Sequence, residues 1–304
     1  MRILLTGGSA CGKSTYAEAL AMRFPPPRYY IATMRPFGEE SLRKIAAHQQ
    51  MRRDKGFLTV ERDTELSSIK LPARGTVLVE CMCNLTANEM FDENGILREV
   101  YDKIMHGIQS LEAQCDTLIV VTNDVGSDGC QYDEGSRQYI KTLGKLNAAL
   151  AARFDCVCEL VTGIPIVLKG DCAFAVEKSV FGNVLNSEQS AMLLVIGGAG
   201  SGKREYVKSL GYSEADIADA VLDDKPVLYD LQDIVFADPL NAGLFDALLQ
   251  KEVVICNEVG NGVIPLDPRD REVREATGRL CNRLARHAQK VVRLVCGIPI
   301  IIKG

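Results

Sequence analysis

The fold is decided near the amino terminus, where the chain begins Met1-Arg-Ile-Leu-Leu-Thr-Gly-Gly-Ser-Ala-Cys-Gly-Lys-Ser-Thr15. The apolar run 2–6 predicts a strand. Residues 13–23 have the apolar spacing of a helix, and the three prolines that follow predict where the helix ends. Between them, residues 7–14 fit the pattern G-x-x-x-x-G-K-[ST] in full. Because a strand precedes the pattern and a helix follows it, the stretch predicts a phosphate-binding loop.

The chemistry of this loop follows from its residue types. Glycines let backbone N–H groups wrap a β-phosphate, and the start of the following helix adds partial positive charge. Lys13 would neutralise β- and γ-phosphate oxygens, and the Ser14 hydroxyl would ligate Mg²⁺. We therefore predict a nucleotide site that includes Gly7, Gly8, Ser9, Ala10, Cys11, Gly12, Lys13, Ser14 and Thr15.

A second acidic ligand for the metal is expected at the end of a neighbouring buried strand. Glu80 directly follows the apolar run 76–79. A carboxylate at that position is costly unless it has a partner, which favours Glu80 as a magnesium ligand. The alternative is a solvated charge at the end of a strand.

Apolar runs alternate with helical patterns along the rest of the first half. Further strands are predicted at 29–32, 76–79, 117–121, 156–161 and 164–168, and helices at 39–53, 96–114 and 133–152. This alternation indicates an α/β fold, a mostly parallel sheet covered by helices on both faces. The last two strands are separated only by Thr162 and Gly163, which predicts an antiparallel hairpin at the end.

The sequence contains an internal repeat. Residues 160–170 reappear as 294–304 and residues 123–126 as 257–260, and the opening loop resembles residues 193–203. The loop and the Asn-x-Val-Gly motif are 116 residues apart in the first copy (123 − 7) and 60 in the second (257 − 197). We therefore predict a domain at 1–170, a connector at 171–190, and a shortened copy of the same domain at 191–304.

The loop of the second copy is altered. It ends in Lys203-Arg204, so an arginine replaces the hydroxyl that would ligate Mg²⁺, while Asp230 stands where Glu80 stands in the first copy. A structural relic or an anion site is therefore favoured over catalysis at this second loop.

Charge and composition exclude several classes of protein. The 304 residues carry a net charge of −5, which argues against a nucleic-acid-binding surface. Apolar runs are too short for a membrane span, and the start is too short for a signal peptide. We expect a cytoplasmic protein.

The cysteines raise a separate question. Without a secretion signal, the 11 cysteines are expected to be reduced thiols. The pairs Cys81/Cys83 and Cys156/Cys158 could form a zinc site. Cysteines buried in strands are favoured, because no histidine accompanies them and the C-x₂-C spacing is absent.

Several motifs carry a family resemblance. They are the opening loop, Tyr-Ile-Ala-Thr at 30–33, the His-bearing segment 43–48 with Arg52 and 59–61, Val-Leu-Val-Glu-Cys at 77–81, Thr-Asn-Asp-Val-Gly at 122–126, and Thr-Gly-Ile-Pro at 162–165. Together they make the chain resemble the bifunctional adenosylcobinamide kinase / adenosylcobinamide-phosphate guanylyltransferase family of cobalamin synthesis. In the second copy, residues 256–265 and 278–282 also match, but the His-bearing segment is missing.

The resemblance implies two transferase activities that use Mg²⁺, ATP and GTP. His48 would attack the α-phosphate of GTP and pass GMP to the corrinoid, whereas His106 and His287 lie in helical patterns without catalytic context. Arg52 or Arg53 would hold phosphates, a solvated basic turn being the alternative. The resemblance adds the following nucleotide contacts: Ala32, Thr33, Met34, Arg52, Glu61 and Glu80. Glu61 would contact the base or ribose, or is simply a strand-end acid.

The family resemblance implies a single-unit enzyme that forms oligomers, and a tandem departs from that. We hypothesise a composite in which the second copy replaces a neighbouring subunit, giving an intramolecular pseudo-dimer or a homo-oligomer. Two other readings stay open: a P-loop kinase or NTPase without guanylyl transfer, and a non-catalytic nucleotide-binding regulator. The residues that recognise the corrinoid are not predicted.

Overall fold

The computed structural model describes residues 1–36, 42–43, 45–46, 49–50, 52–92, 95–96, 100–172 and 190–304. The chain divides into two compact units. The first comprises Met1–Gly7, Lys13–Glu159 and the described part of 167–180. The second comprises Gly8–Gly12, Leu160–Ile166 and the described part of 181–304. The predicted boundary at residues 171–190 stays a prediction.

A seven-stranded sheet forms the framework of the first half of the chain. Its strands lie in the order β3-β2-β4-β7-β1-β8-β9. Their bounds are Arg2–Thr6 (β1), Arg28–Ala32 (β2), Phe57–Glu61 (β3), Thr76–Val79 (β4), Thr117–Val121 (β7), Cys156–Val161 (β8) and Ile164–Lys169 (β9). A small antiparallel pair, Phe91–Asp92 (β5) and Gly95–Ile96 (β6), stands apart. The pairings of β2 with β3 and β4, of β4 with β7, and of β1 with β7 and β8 are parallel, which confirms the α/β class.

Four helices of this half have described bounds: Lys13–Ala21 (α1), Met82–Met90 (α2), Tyr101–Gln114 (α3) and Glu134–Arg153 (α4). The helix predicted at 96–114 begins too early, because Ile96 lies in β6 and the helix starts at Tyr101. The described residues of the predicted helix 39–53 are helical between 42 and 52. Strand β3 was missed as a strand, because its alternation is weak and Leu58 on it is exposed.

A six-stranded sheet forms the framework of the second half. Its strands lie in the order β11-β12-β13-β10-β14-β15. Their bounds are Ser190–Gly197 (β10), Ile217–Asp219 (β11), Val227–Tyr229 (β12), Val253–Asn257 (β13), Ala288–Val295 (β14) and Ile298–Lys303 (β15). The helices are Lys203–Ser209 (α5), Leu231–Ala237 (α6), Leu244–Leu248 (α7) and Pro268–His287 (α8). Strands β14 and β15 form an antiparallel hairpin.

The two sheets reproduce the sequence repeat strand by strand. Strand β10 lies between β13 and β14 just as β1 lies between β7 and β8. The first sheet has one strand more, and the extra strand is the edge strand β3. Since β3 follows the His-bearing segment, the shortening of the second copy removes that segment together with the strand behind it.

Helix α8 has clear signals at both ends. The Asp267 side chain accepts a hydrogen bond from the Arg269 N–H, and Pro268 occupies the first turn. Arg286 and His287 lie in the last turn, where positive charge is favourable. The His287 ring is 2.9 Å from the Arg283 carbonyl oxygen and packs edge-on against Phe245. His287 is therefore a structural residue at the end of the helix.

The cysteines differ in part from the sequence expectation. Cys156 and Cys172 form a disulfide, so these two residues are not thiols. Cys158 lies in the same strand as Cys156, with their sulfur atoms 3.7 Å apart. Cys81 and Cys83 lie beyond strand β4 at the start of α2, and only Cys83 is fully buried. No helix among the described residues is long and apolar enough to span a bilayer.

Candidate functional site

The glycine-rich loop joins β1 to α1, as the motif requires. Its backbone turns at Gly7, Ala10 and Gly12, whose φ angles are 138°, 57° and 93°. The Lys13 side chain is 7% exposed, and its Nζ donates a hydrogen bond to the Gly7 carbonyl oxygen at 2.9 Å. The ammonium group is thus held against the loop, at the start of α1, where phosphate oxygens would be bound.

Glu80 lies at the carboxyl end of β4, at the same edge of the parallel sheet as the loop after β1. Strand β7 lies between β4 and β1, so the expectation that Glu80 ends the strand next to the loop is wrong by one strand. The side chain is 8% exposed, and its Oε2 accepts a hydrogen bond from the Thr33 N–H at 3.0 Å. The carboxylate is therefore buried and oriented, and it is not a solvated charge.

Tyr30 is a site residue to which sequence reasoning gave no role. It lies on β2, is 1% exposed, and its hydroxyl is hydrogen-bonded to Glu80. Burial, followed by the nearby Glu80 charge, raises the pKa of Tyr30, so the phenol stays protonated. The motif at 30–33 contains Tyr30. A single sequence, however, does not distinguish a tyrosine that is only buried in a strand from one whose hydroxyl is hydrogen-bonded to a carboxylate.

Arg52 and Arg53, which the sequence could not separate, differ sharply in the structure. Arg52 is 6% exposed and its guanidinium carbon is 3.6 Å from the centre of the Tyr30 ring. Its Nε and Nη1 atoms have no hydrogen-bond partner among the described residues. The Arg53 side chain, in contrast to that of Arg52, is exposed. A buried guanidinium with unused donors is suited to bind an anion in bidentate fashion.

The turn after Arg52 is fastened to the helix that follows the loop. The Lys55 N–H donates to the Arg52 carbonyl oxygen at 3.0 Å. Lys55 Nζ forms an ion pair at 2.5 Å with Glu18, a residue of α1 that is fully buried. The basic turn is therefore not merely solvated, since one of its charges ties it to α1.

The residues predicted after β2 have mostly structural contacts. Thr33 is fully buried, its hydroxyl donates to the Cys81 carbonyl oxygen at 3.0 Å, and its own carbonyl accepts from Asn88. Ala32 is buried and Met34 is half-buried. Glu61 is exposed at the end of β3, paired in register with Ala32. These residues line the same sheet edge, and their contact with a nucleotide stays a prediction.

His48, the predicted nucleophile, lies outside the described residues. The described residues on either side of it are helical, and His106 is exposed on α3. Sequence reasoning considered Cys83 only as part of a possible zinc site or as a core cysteine. A hydrogen bond from Cys81 is the main cause that lowers the pKa of Cys83 to about 7, and the Lys13 charge makes a smaller contribution in the same direction. No sequence signal separates this cysteine from a core residue.

The second loop has the same framework with different chemistry. Lys203 Nζ donates to the carbonyl oxygens of Gly197 and Gly198 at 3.2 and 2.6 Å. Arg204, in place of a hydroxyl, forms ion pairs with Glu214 at 2.8 Å and Asp219 at 2.9 Å. Its guanidinium is therefore engaged by carboxylates where a metal ligand would be needed, which disfavours catalysis at this loop and leaves the two predicted alternatives, a structural relic or an anion site.

Asp230 follows β12 as Glu80 follows β4, which agrees with the sequence alignment of the two copies. Its Oδ1 accepts hydrogen bonds from Gln232 at 2.8 Å and Asn257 at 3.4 Å. The carboxylate therefore holds together the ends of β12 and β13.

Comparison with known proteins adds the family. The sequence pattern of the family described as "Cobinamide kinase / cobinamide phosphate guanyltransferase" matches residues 3–168 and 241–302, well over half of the chain. The bifunctional adenosylcobalamin biosynthesis protein CobU of Escherichia coli K12 is 32% identical over 183 residues, which are 56% of this chain and 100% of that protein.

A second relative gives the same result. The bifunctional adenosylcobalamin biosynthesis protein CobP of Pseudomonas aeruginosa is 31% identical over 175 residues, 56% of this chain and 99% of that protein. The family match also includes residues 241–302, which belong to the second copy. Because the family pattern matches well over half of the chain, the chain belongs to the cobinamide kinase / cobinamide phosphate guanyltransferase family.

Proposed function

We propose that this chain phosphorylates adenosylcobinamide from a nucleoside triphosphate and then transfers GMP from GTP to adenosylcobinamide phosphate. The observation that carries the proposal is the site at one edge of the first sheet. It combines the loop with its buried Lys13, the oriented carboxylate of Glu80, and the buried guanidinium of Arg52 with unused donors. Family membership supplies the substrate class.

The phosphorylation step needs positioning and charge neutralisation more than covalent chemistry. The hydroxyl oxygen of the corrinoid side chain attacks the γ-phosphorus, the bond to the bridging oxygen breaks, and the nucleoside diphosphate leaves. Lys13 neutralises the β- and γ-phosphate oxygens from its place at the start of α1. The hydroxyl proton passes to solvent water as the new ester bond forms.

Magnesium is the metal that the proposed chemistry implies. A hydroxyl from Ser14 and a carboxylate from Glu80 are hard oxygen ligands, and Mg²⁺ is commonly held by one or two such groups together with water and phosphate oxygens. These two residues fit that set, and they would hold the ion where it lowers the charge of the phosphates. Tyr30 and the Thr33 N–H keep the Glu80 carboxylate oriented.

The guanylyl transfer is assigned to His48. A neutral imidazole nitrogen attacks the α-phosphorus of GTP, and pyrophosphate leaves. A phosphate oxygen of adenosylcobinamide phosphate then attacks the same phosphorus, the phosphorus–nitrogen bond breaks, and the histidine is regenerated. Arg52 would stabilise the phosphate charge with two N–H groups, which explains why this buried residue has unused donors.

Replacing Arg52 by alanine tests that assignment. Charged hydrogen bonds of this kind are worth about 1.5–3 kcal/mol, so we expect kcat/KM for GTP to fall about 10- to 100-fold. The matched control is Arg53→Ala, which removes an equal charge from an exposed neighbour and should change kcat/KM less than about twofold. Steady-state kinetics of both variants make the comparison, and equal losses would contradict the role of Arg52.

Replacing Glu80 by glutamine tests the metal side of the site. The amide keeps the size of the side chain but loses the charge, so we expect the Mg²⁺ concentration for half-maximal activity to rise about tenfold or more. A magnesium titration of the phosphorylation rate measures this. An unchanged magnesium requirement together with normal activity would assign Glu80 a purely structural role with Tyr30 and Thr33.

A further inference from the structure

We propose that Gly260, Gly278 and Asn282 position the glycine-rich loop Gly8–Gly12 for nucleotide binding. The inference rests on the proposed function and adds positioning residues for the same site. All of these residues and the loop segment itself belong to the second unit of the structure. The shortened second copy would then have a function of its own, which is to hold the loop Gly8–Gly12 in shape. Its own altered loop does not give it a catalytic function.

Hydrogen bonds fasten three successive residues of the loop. The Ser9 N–H donates to the Gly260 carbonyl oxygen at 2.8 Å, and Asn282 Nδ2 donates to the Ala10 carbonyl oxygen at 2.8 Å. The Gly163 N–H donates to the Cys11 carbonyl oxygen at 2.9 Å. These bonds fix the peptide planes of the loop, and with them the directions of the N–H groups that would face phosphate.

The middle residue of these three is conformationally demanding. Ala10 has a φ of 57°, in the left-handed region that residues other than glycine rarely adopt. Such a conformation persists only where the surroundings hold it in place. The hydrogen bond from Asn282 acts on the carbonyl of this residue, so Asn282 stabilises the loop where it is most strained.

The second copy shows which contacts are particular to the first loop. Its hairpin makes the same bond, from the Gly297 N–H to the Ser201 carbonyl oxygen at 3.0 Å. Among the described residues, counterparts of the other two bonds do not occur at the second loop. A Cβ atom added at Gly198 or Gly200 would meet nothing within 4 Å. The contacts from Gly260 and Asn282 therefore distinguish the intact loop from the altered one.

Steric fit supports the same conclusion. A Cβ atom on Gly260 would lie 2.7 Å from the Ser9 carbonyl oxygen, and one on Gly278 would lie 2.8 Å from the Ala10 Cβ. Both contacts are closer than ordinary van der Waals distances, so any side chain at these positions would push the loop. In the first copy, the residue that corresponds to Gly278 is Gly144 of α4 (278 − 134), and a Cβ there would meet nothing within 4 Å.

The test compares Gly278→Ala with Gly144→Ala and adds Asn282→Ala, all in the full chain. Both glycine changes put alanine into the middle of a helix, where alanine itself is favourable. We expect Gly278→Ala and Asn282→Ala to raise the dissociation constant and KM for MgGTP at least tenfold. We expect Gly144→Ala to leave both constants unchanged. The KM for the corrinoid should stay the same in all three variants, and none of them should lower the thermal unfolding midpoint.

A change in the constants for MgGTP without a change in the KM for the corrinoid distinguishes a positioning role from a general loss of structure. If the unaltered chain binds MgGTP and both Gly278→Ala and Asn282→Ala bind it equally well, the inference is overturned while the proposed function stands. Equal weakening by Gly144→Ala, or weakening that accompanies a lowered unfolding midpoint, would also overturn it. If the unaltered chain binds no nucleotide, the proposed function fails and this inference fails with it.

Discussion

Replacing Lys13 by alanine is expected to lower nucleotide-dependent phosphorylation by about 10²- to 10³-fold, the usual effect of removing one donor to a developing charge. The ammonium group is buried, bonded to Gly7 and placed at the start of α1. No neighbouring cation replaces it in the motif. Phosphorylation of adenosylcobinamide with labelled ATP or GTP measures the loss.

Lys203→Ala is the matched control, since Lys203 holds the same place in the second loop and bonds to Gly197 and Gly198. Its neighbour Arg204 is already engaged by Glu214 and Asp219. We therefore expect Lys203→Ala to keep at least half of the activity and one nucleotide to bind per chain. Two nucleotides per chain, or a large loss from Lys203→Ala, would contradict the structural role of the second loop.

Replacing His48 by alanine is expected to abolish GMP transfer while leaving phosphorylation of the corrinoid within a few-fold of normal. The covalent step needs a nitrogen nucleophile, and alanine has none, whereas the phosphorylation step uses Lys13, Ser14 and Glu80. Product analysis by mass spectrometry separates the two steps. His106→Ala is the control, because that histidine is exposed on α3, and it should keep both activities.

The result of that experiment also separates the readings that the sequence leaves open. A His48→Ala variant that keeps all GTP-dependent product formation would favour a kinase without guanylyl transfer. A chain that binds nucleotide but forms neither product would favour a regulator. Loss of GMP transfer alone supports the bifunctional enzyme.

Strong local periodicity explains which parts of the fold could be predicted. Strands β4 and β7 were placed correctly to the residue, because each is a continuous apolar run that lies between polar segments. The position of the glycine-rich loop was predicted because the backbone conformation of such a loop requires glycine at fixed positions. The start of α3 was placed too early, because Gly95 and Ile96 form a short strand whose two residues carry no periodic signal.

The site was less predictable, because it depends on burial and on contacts between distant residues. Nothing in Arg52-Arg53 indicates which side chain packs on Tyr30 and which is exposed. The link from Tyr30 to Glu80 joins two strands that are 50 residues apart in sequence (80 − 30). The disulfide between Cys156 and Cys172 was likewise missed, since it depends on where residue 172 lies after β9.

Guanylyl transfer through His48 requires that the chain form a covalent guanylyl intermediate on this histidine. The measurement is the intact mass of the purified protein after incubation with Mg²⁺ and GTP, before and after mild acid. We expect one added GMP per chain, lost in acid and absent in His48→Ala. An unchanged mass in the unaltered protein, with GTP nevertheless bound, would contradict the account.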